Sequence, residues 1–483
     1  MEQVSLLKTC YKLASQSEFG KATAPVWLSG LIIFLIGVGS CTPEDEVLTR
    51  DEGVQLIFSA DTVQFDTVFT TVGSTTQWLQ VYNPQAKAVD ISWVSLATPE
   101  NSPFRLLLNG EAGTRFNDVR LRGGDSLLLL VEVTVDPQNT DLPFIVKDSV
   151  EFRTNGNVQH VILEAWGQDA YFLKSEVIVQ DATFSGERPY VICDSLRVVS
   201  GATLTLAAGT QLYFNNGAGL LVDGTLQAIG TPEARVVLQH VRQDGDYENA
   251  PGQWQGVFFG TSSKNNRLDF ATIRNASVGA TIVSSDNDTL PDLILNSAIV
   301  ENMSGFGVLT AEADVDVRNS LMSNCALGSF FGLGRAYYRF WHCTLVNEPG
   351  NFARENNEPL LAFDQNFSVS SQLTQDFTLQ IANCIVWGIL ENELLFAPFK
   401  PENPVNLSLV KTLIKSSDTT PDLVANNFYN QNPAFVDAEV DDYRLDSLSP
   451  AINAGIPLGI ERDLNDNPRD TQPDLGAYEY YPE

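Results

Sequence analysis

Hydrophobic and polar residues alternate along most of this chain, and the length of the alternating runs changes once on the way. Between Val47 and Gly167 the runs are Gln55 to Phe58, Val63 to Phe69, Gln77 to Tyr82, Asp90 to Val94, Phe104 to Leu108, Ser126 to Val135, Ser149 to Thr154 and His160 to Trp166. Turn signals separate them, among them Asn83-Pro84, Asn109-Gly110, Asp136-Pro137 and Asn155-Gly156. About eight strands with no helical period predict an antiparallel β-sandwich of immunoglobulin-like size over residues 47–168. From Ala170 the runs shorten to ~4 to 5 residues, with glycine at the bends, as in Gly201 to Phe214 and Gly219 to Pro232. Strands this short suit a coil with three faces.

The stretch from Asp269 to Gly388 makes that coil explicit. An apolar or β-branched pair is followed two residues later by asparagine, at Asn275, Asn302, Asn324 and Asn347. The intervals are 27, 22 and 23 residues (302 − 275, 324 − 302, 347 − 324), a period that marks stacked repeats. A second column, Asn296, Asn319, His342 and Asn383, closes the preceding strands. Asparagine belongs at such bends because it tolerates left-handed backbone angles, and its amide can hydrogen-bond along the stack. Residues 169–430 are therefore expected to form a parallel β-helix. The interval from Cys343 to Cys384 is 41 residues (384 − 343), so the excursion from Glu348 to Thr378 reads as an insertion, of the kind that often marks a binding face.

Several segments carry resemblances. The coils at 201–232, with Trp254-Gln-Gly-Val-Phe-Phe259, resemble the first coils of right-handed parallel β-helix proteins, the superfamily that includes pectate lyases. The fold class so implied is all-β, a right-handed parallel β-helix preceded by an immunoglobulin-like β-sandwich. Gly124-Asp125-Ser126, leading into a leucine-rich strand, resembles bacterial Ig-like modules that serve as spacers beside surface enzymes and adhesins. The terminal segment, residues 431–483, with Ser449-Pro-Ala-Ile-Asn-Ala-Gly455, Asp463-Leu-Asn-Asp-Asn-Pro-Arg469 and Asp474-Leu-Gly-Ala-Tyr-Glu479, resembles the choice-of-anchor Q segment of secreted β-helix proteins, and is expected to cap the helix. Asp463, Asn465, Asn467 and Asp474 imitate a calcium-loop spacing, but Pro468 stands where such a loop needs glycine.

At the other end, Val26 to Val38 is an apolar run preceded by Lys8, Lys12 and Lys21 and ended by Gly39-Ser40-Cys41. That is the layout of a signal peptide over residues 1–40, and its ending resembles a bacterial lipobox, which implies lipidation at Cys41. The acidic tether 41–46 is similar to signals that send lipoproteins to the outer face of the cell. The implied location is the outer membrane, lipid-anchored and at the cell surface, with no membrane contact beyond the anchor.

Net charge changes the picture in one respect. At −31 the chain repels nucleic acid and anionic surfaces, which excludes nucleic acid as a partner. Cys343 and Cys384 share a column with Ser297 and Ser320, so small side chains stacked in the coil account for them, with a bridge between the two as the alternative. No Cys/His metal spacing is present. No cofactor is called for, although so acidic a chain has room for calcium.

Coil register locates the candidate chemistry. Asp316 should lie beside Arg339 and Glu312 beside Arg335, each 23 residues apart (339 − 316, 335 − 312). Tyr338 and Phe340 then point inward, while Tyr337, Arg339 and Trp341 face solvent near Asp314 and Asp316. Outward aromatic rings flanked by guanidinium and carboxylate groups suit a sugar platform; cross-coil ion pairing is the plainer use of the same residues. His342 reads as a ladder residue. Hydrolases of the polygalacturonase type need paired carboxylates, and the Asp441-Asp442 pair falls in the tail. A lyase would need a basic residue as base, which leaves Asp314, Asp316, Arg335 and Arg339 as catalytic candidates. Three readings stand: a binder of an extended carbohydrate or cell-surface polymer, a polysaccharide lyase or glycoside hydrolase acting on an acidic glycan, and an adhesin or structural stalk.

Overall fold

The alternating runs fold as strands throughout. A computed structural model describes residues 47–71, 73, 76–283, 290–347, 358–368, 376–398, 400, 405–417 and 426–482. The leader, Cys41, the acidic tether and parts of the excursion from Glu348 to Thr378 lie outside the described residues. The molecule is all-β: an amino-terminal β-sandwich followed by a parallel β-helix.

All eight expected runs are strands of the sandwich, which packs two five-stranded sheets. Leu79, Val81, Leu129 and Val131 from one sheet meet Val150, Phe152, Val161 and Leu163 from the other, all buried. Two further strands, Glu111–Gly113 and Arg115–Leu121, were not legible in the pattern. Both are edge strands, and Arg115–Leu121 buries only Val119 and Leu121. A single apolar pair gives little alternation to detect.

The helix has three faces, here called first, second and third in chain order. Among the described residues the first face has eleven parallel strands, beginning with Tyr171–Leu173; the second and third have nine each, beginning with Glu176–Ile178 and Ala182–Phe184. The four asparagine motifs fall on first-face strands Ala271–Arg274, Ile299–Met303, Leu321–Cys325 and Thr344–Asn347. Trp254 is buried, stacks on Phe214 at 4.0 Å, and donates Nε1–H to the Arg274 carbonyl at 2.8 Å. Gly256 two residues later permits this approach, since a Cβ there would lie 1.7 Å from the Val278 oxygen and φ is +102°.

The bends correct the expected columns by one residue. Phe270, Ser297, Asn319, His342, Asn383 and Lys411 occupy the left-handed region between the third and first faces, with φ from 45° to 54°. Asn296 is not among them: it pairs with Arg318 as an ordinary strand residue. The repeat there is 22, not 23 (319 − 297), so Ser297 takes the bend, accepting a hydrogen bond from Asn319 Nδ2 at 3.0 Å. By the same shift Ala298, not Ser297, precedes Ser320, Cys343 and Cys384 in the next column, as the bond from Leu321 N to the Ala298 carbonyl requires. Cys343 and Cys384 are free thiols, in contact but not bridged.

Nor do the asparagines of the other column stack amide on amide. Asn275 donates to the carbonyls of Glu248 and Ala250, and Asn324 donates to Asp441 at 2.8 Å. Asn347 Oδ1 accepts the Cys325 N–H at 3.1 Å while its Nδ2 donates to the Cys325 carbonyl at 2.7 Å. Each amide satisfies whichever backbone or loop group the bend brings to it.

The excursion after Glu348 contains a regular second-face strand, Leu361–Asp364, paired with Gly328–Leu333 and Leu394–Phe396. The coil continues through it, with longer connections on each side.

The carboxyl-terminal segment lies along the flank of the first face. Tyr443, Leu464 and Ala477 pack on Leu321 and Val346, and Leu445, Ala451 and Leu475 pack on Ile385 and Leu413. The apolar outward residues of these first-face strands must be covered, and the segment covers them as a strap. At the amino-terminal side, Phe69 of the sandwich meets Tyr213 of the same face at 4.7 Å.

Candidate functional site

The strand Tyr337–Trp341 on the third face carries the expected chemistry. Its period-2 alternation sends Tyr338 and Phe340 into the core, opposite Val315 and Val317. Tyr337, Arg339 and Trp341 point outward and are half-buried, because the neighbouring strands crowd both sides of each. Arg339 lies directly beside Asp316.

Asp316 is the centre of the row. It is fully buried, yet two guanidiniums share it. Arg339 donates Nε–H to Oδ1 at 2.8 Å and Nη2–H to Oδ2; Arg318 donates Nε–H to Oδ1 at 3.0 Å and Nη2–H to Oδ2. A carboxylate removed from water survives as an anion only with such partners. Burial alone would raise its pKa, but the hydrogen bonds from Arg339 and Arg318 outweigh it and hold the carboxyl below the usual carboxylate range. The same bond from Asp316 raises the Arg339 guanidinium further.

Aromatic rings line both guanidiniums. Arg339 Cζ sits 4.5 Å from the Trp341 ring centroid and 5.9 Å from that of Tyr337, and Arg318 Cζ lies 5.8 Å from Trp341. The Tyr337 hydroxyl donates to Gln380 Oε1 at 2.9 Å, which ties the row to the next coil. The result is a flat outward strip of two aromatic rings, two cations and an amide, held rigid by one buried carboxylate.

Two expectations need correction. Asp314 is buried, and its Oδ1 accepts the Tyr337 N–H at 2.7 Å, so it supports the strand rather than flanking it in solvent. Glu312 does not sit opposite Arg335. The repeat is 22 at the end of the second face, where Ala311 pairs with Leu333 (333 − 311), and 23 on the third, where Asp316 pairs with Arg339. One extra residue in the intervening bend therefore sets Glu312 against Gly334, at which a Cβ would lie 2.4 Å from Glu312 Cγ.

Arg318 and Gln380 were missed from sequence. Arg318 could have been found, since it lies two residues from Asp316 and shares its outward direction. Gln380 was hidden by the 41-residue interval across the excursion. Among the described residues no three Asp, Glu, His or Cys side chains converge as metal ligands. In the calcium-like tail segment the Asp463 carboxylate accepts the N–H groups of Asn465, Asn467 and Glu479, and Asp474 accepts those of Asn453 and Tyr480.

Fold and row together define the class: a β-sandwich followed by a parallel β-helix with an aromatic and cationic strip on one outer face. No family model matches the chain. A stretch of 62 residues, 13% of the chain, is 39% identical to Protein bark beetle of Drosophila melanogaster, and covers 2% of that protein's length. Solved structures similar to parts of the chain include an ASH/PapD-like domain of human CEP192, at 10% identity over 30% of this chain and 99% of that one, with a TM-score of 0.18. A family 123 glycoside hydrolase from Clostridium perfringens matches at 8% identity over 23% of this chain and 25% of its own, TM-score 0.16. A protein of unknown function from Porphyromonas gingivalis W83 matches at 12% over 26% and 59%, TM-score 0.18.

Proposed function

We propose that this chain is a lipid-anchored outer-membrane protein, exposed at the cell surface, whose β-helix binds an extended carbohydrate or cell-surface polymer along the third face. The observation that carries the reading is the strip of Tyr337, Arg339 and Trp341 over the shared Asp316. Rings on either side of Arg339 in the outward row offer faces to pyranose rings, and guanidiniums fixed by a buried anion offer directed donors to hydroxyl or carboxylate groups. The resemblance to pectate-lyase-like helices and to the choice-of-anchor Q segment fits a secreted polymer binder, and Cys41 would carry the lipid.

Binding is favoured over catalysis at this strip. A lyase base must lose its proton, and Arg339 is held more firmly protonated by Asp316 than a free guanidinium. A hydrolase needs two available carboxylates, whereas Asp316 is committed to two arginines and Asp314 to a backbone amide. A glycan array tests the reading. Trp341→Ala should lower binding at least tenfold while leaving the thermal midpoint within a few degrees; equal binding by the variant would favour the stalk. Ultraviolet absorbance from unsaturated uronates on an acidic glycan panel would instead favour a lyase.

A further inference from the structure

His342 is one rung of the left-handed ladder, fully buried, and, unlike Ser297, Asn319 and Asn383 beside it, carries a titratable ring. The ladder is also where the strap is tied down. Arg469 Nη2–H donates to Asn319 Oδ1 at 2.9 Å, and the Ile456 N–H donates to Asn383 Oδ1 at 3.1 Å. Gly476 N–H reaches the Asn383 carbonyl at 2.8 Å, and Ala477 N–H reaches Thr344 Oγ1 at 3.0 Å. Asn383 Nδ2 donates to the Ile456 carbonyl and lies 2.9 Å from His342 Nε2. An amide NH₂ can only donate, so Nε2 is the acceptor and the ring is neutral.

We propose that the carboxyl-terminal strap is a latch released by acid: a proton on His342 converts the acceptor facing Asn383 into a donor and sets a second cation beside Arg469, lifting the strap from the ladder. The groups facing the ring are few. Arg469 is the cation whose charge acts on it, itself buried and paired with Glu479 at 3.0 Å. The backbones of Asp474 and Gly476 favour the charged ring slightly, and Cys343 and Cys384 follow in the next column. Burial first, and Arg469 second, push the imidazole down to about 2.

The sign follows from that depression. The unfolded or lifted state binds the proton near pH 6.5 and the closed state does not, so closure weakens as pH falls below about 6.5, and goes on weakening toward 2. Asp474 and Glu479 act in the opposite sense, because burial raises both and the closed state then takes up their protons more readily. Both take up protons from their raised closed-state values down to the ordinary 3.8 and 4.5, so they offset His342 in the lower part of its range, and the His342→Asn comparison isolates the imidazole. Release uncovers Leu321, Val346, Ile385 and Leu413.

Native-state hydrogen exchange on the intact chain, corrected for intrinsic rates, tests the latch. The opening equilibrium at the Leu464, Gly476 and Ala477 amides should rise about sixteenfold from pH 6.5 to pH 5, steepening toward the tenfold per pH unit of one proton. The Leu345 and Val386 amides in the solenoid should not follow. His342→Asn, which suits the left-handed angle and keeps a neutral side chain, should flatten the slope. An unchanged slope in that variant, or no slope in the wild type, overturns the proposal. Should the variant fail to fold, hydrophobic-dye binding to the wild type decides: fluorescence must rise as pH falls from 6.5 to 5.5 and the strap lifts from Leu321, Val346, Ile385 and Leu413, and a flat signal sinks the idea.

Discussion

A single carboxylate decides how the candidate strip is held together. Asp316 is wholly buried while its partners Arg339 and Arg318 keep side-chain exposures of 18% and 36%, so most of the desolvation falls on the anion. Replacing it leaves two guanidiniums facing each other without a counter-charge, a loss of about 3 kcal/mol or somewhat less given the partly exposed arginines. Asp316→Asn should therefore lower the urea midpoint at pH 7. The pH dependence is specific. The folded carboxyl is depressed below the 3.8 of the free group, so its contribution is complete above pH 4 and is lost as pH falls through the lower folded value. Urea melts of wild type and variant should differ by the same amount at pH 7 and pH 5, and converge below pH 4. A difference that fades already between pH 7 and 5 would show that the ion pairs are not its source.

At the scale of the coil, the bends do more than turn the chain. Asn347 fills both backbone positions of Cys325 one coil earlier, as acceptor at 3.1 Å and donor at 2.7 Å, inside a buried bend. Asn324, in the same column, reaches out to Asp441 and Tyr443 of the strap. Asn347→Ala strands two buried backbone groups and should cost about 2 to 4 kcal/mol of solenoid stability in chemical denaturation. Asn324→Ala should cost about 1 kcal/mol, because its loss is on the strap side and closer to water. Equal effects would mean that the two asparagines share one role.

Much of this was legible because period-2 alternation and asparagine spacing are local signals. The first-face strands, the inward Tyr338 and Phe340, and the Asp316 to Arg339 contact all follow from them. The departures have a common cause: residue identity points to one position and residue count to the next. Asn296 looked like the bend residue, but a 22-residue coil puts Ser297 there, and the hydroxyl is tolerated because Asn319 bonds to it. The change from 22 to 23 within one coil likewise moved Glu312 away from Arg335. Gln380 and the strap were beyond local reading, since each depends on which residues meet across long stretches of chain.

The three outer faces of the whole molecule are used differently. The first is covered by the chain itself: Phe69 of the sandwich meets Tyr213, Glu248 to Ala250 cover Asn275, and the strap lies on Leu321 through Leu413. The third is largely polar around Asp316, where the candidate strip lies. The interior of the coil is a separate apolar core, continuous from Ile178 to Ile414, and shares no member with the two clusters beneath the strap. In a solenoid each coil depends on its neighbours, so that core should persist without the strap. A chain ending at Asn430 is accordingly expected to keep its β-sheet circular dichroism and most of its thermal midpoint, while its bared Leu321, Val346, Ile385 and Leu413 bind a hydrophobic dye and drive concentration-dependent association. Sedimentation velocity separates the outcomes. A folded monomer would mean the strap covers nothing that water rejects, and an unfolded chain would mean the strap is part of the fold's foundation rather than a cover laid over it.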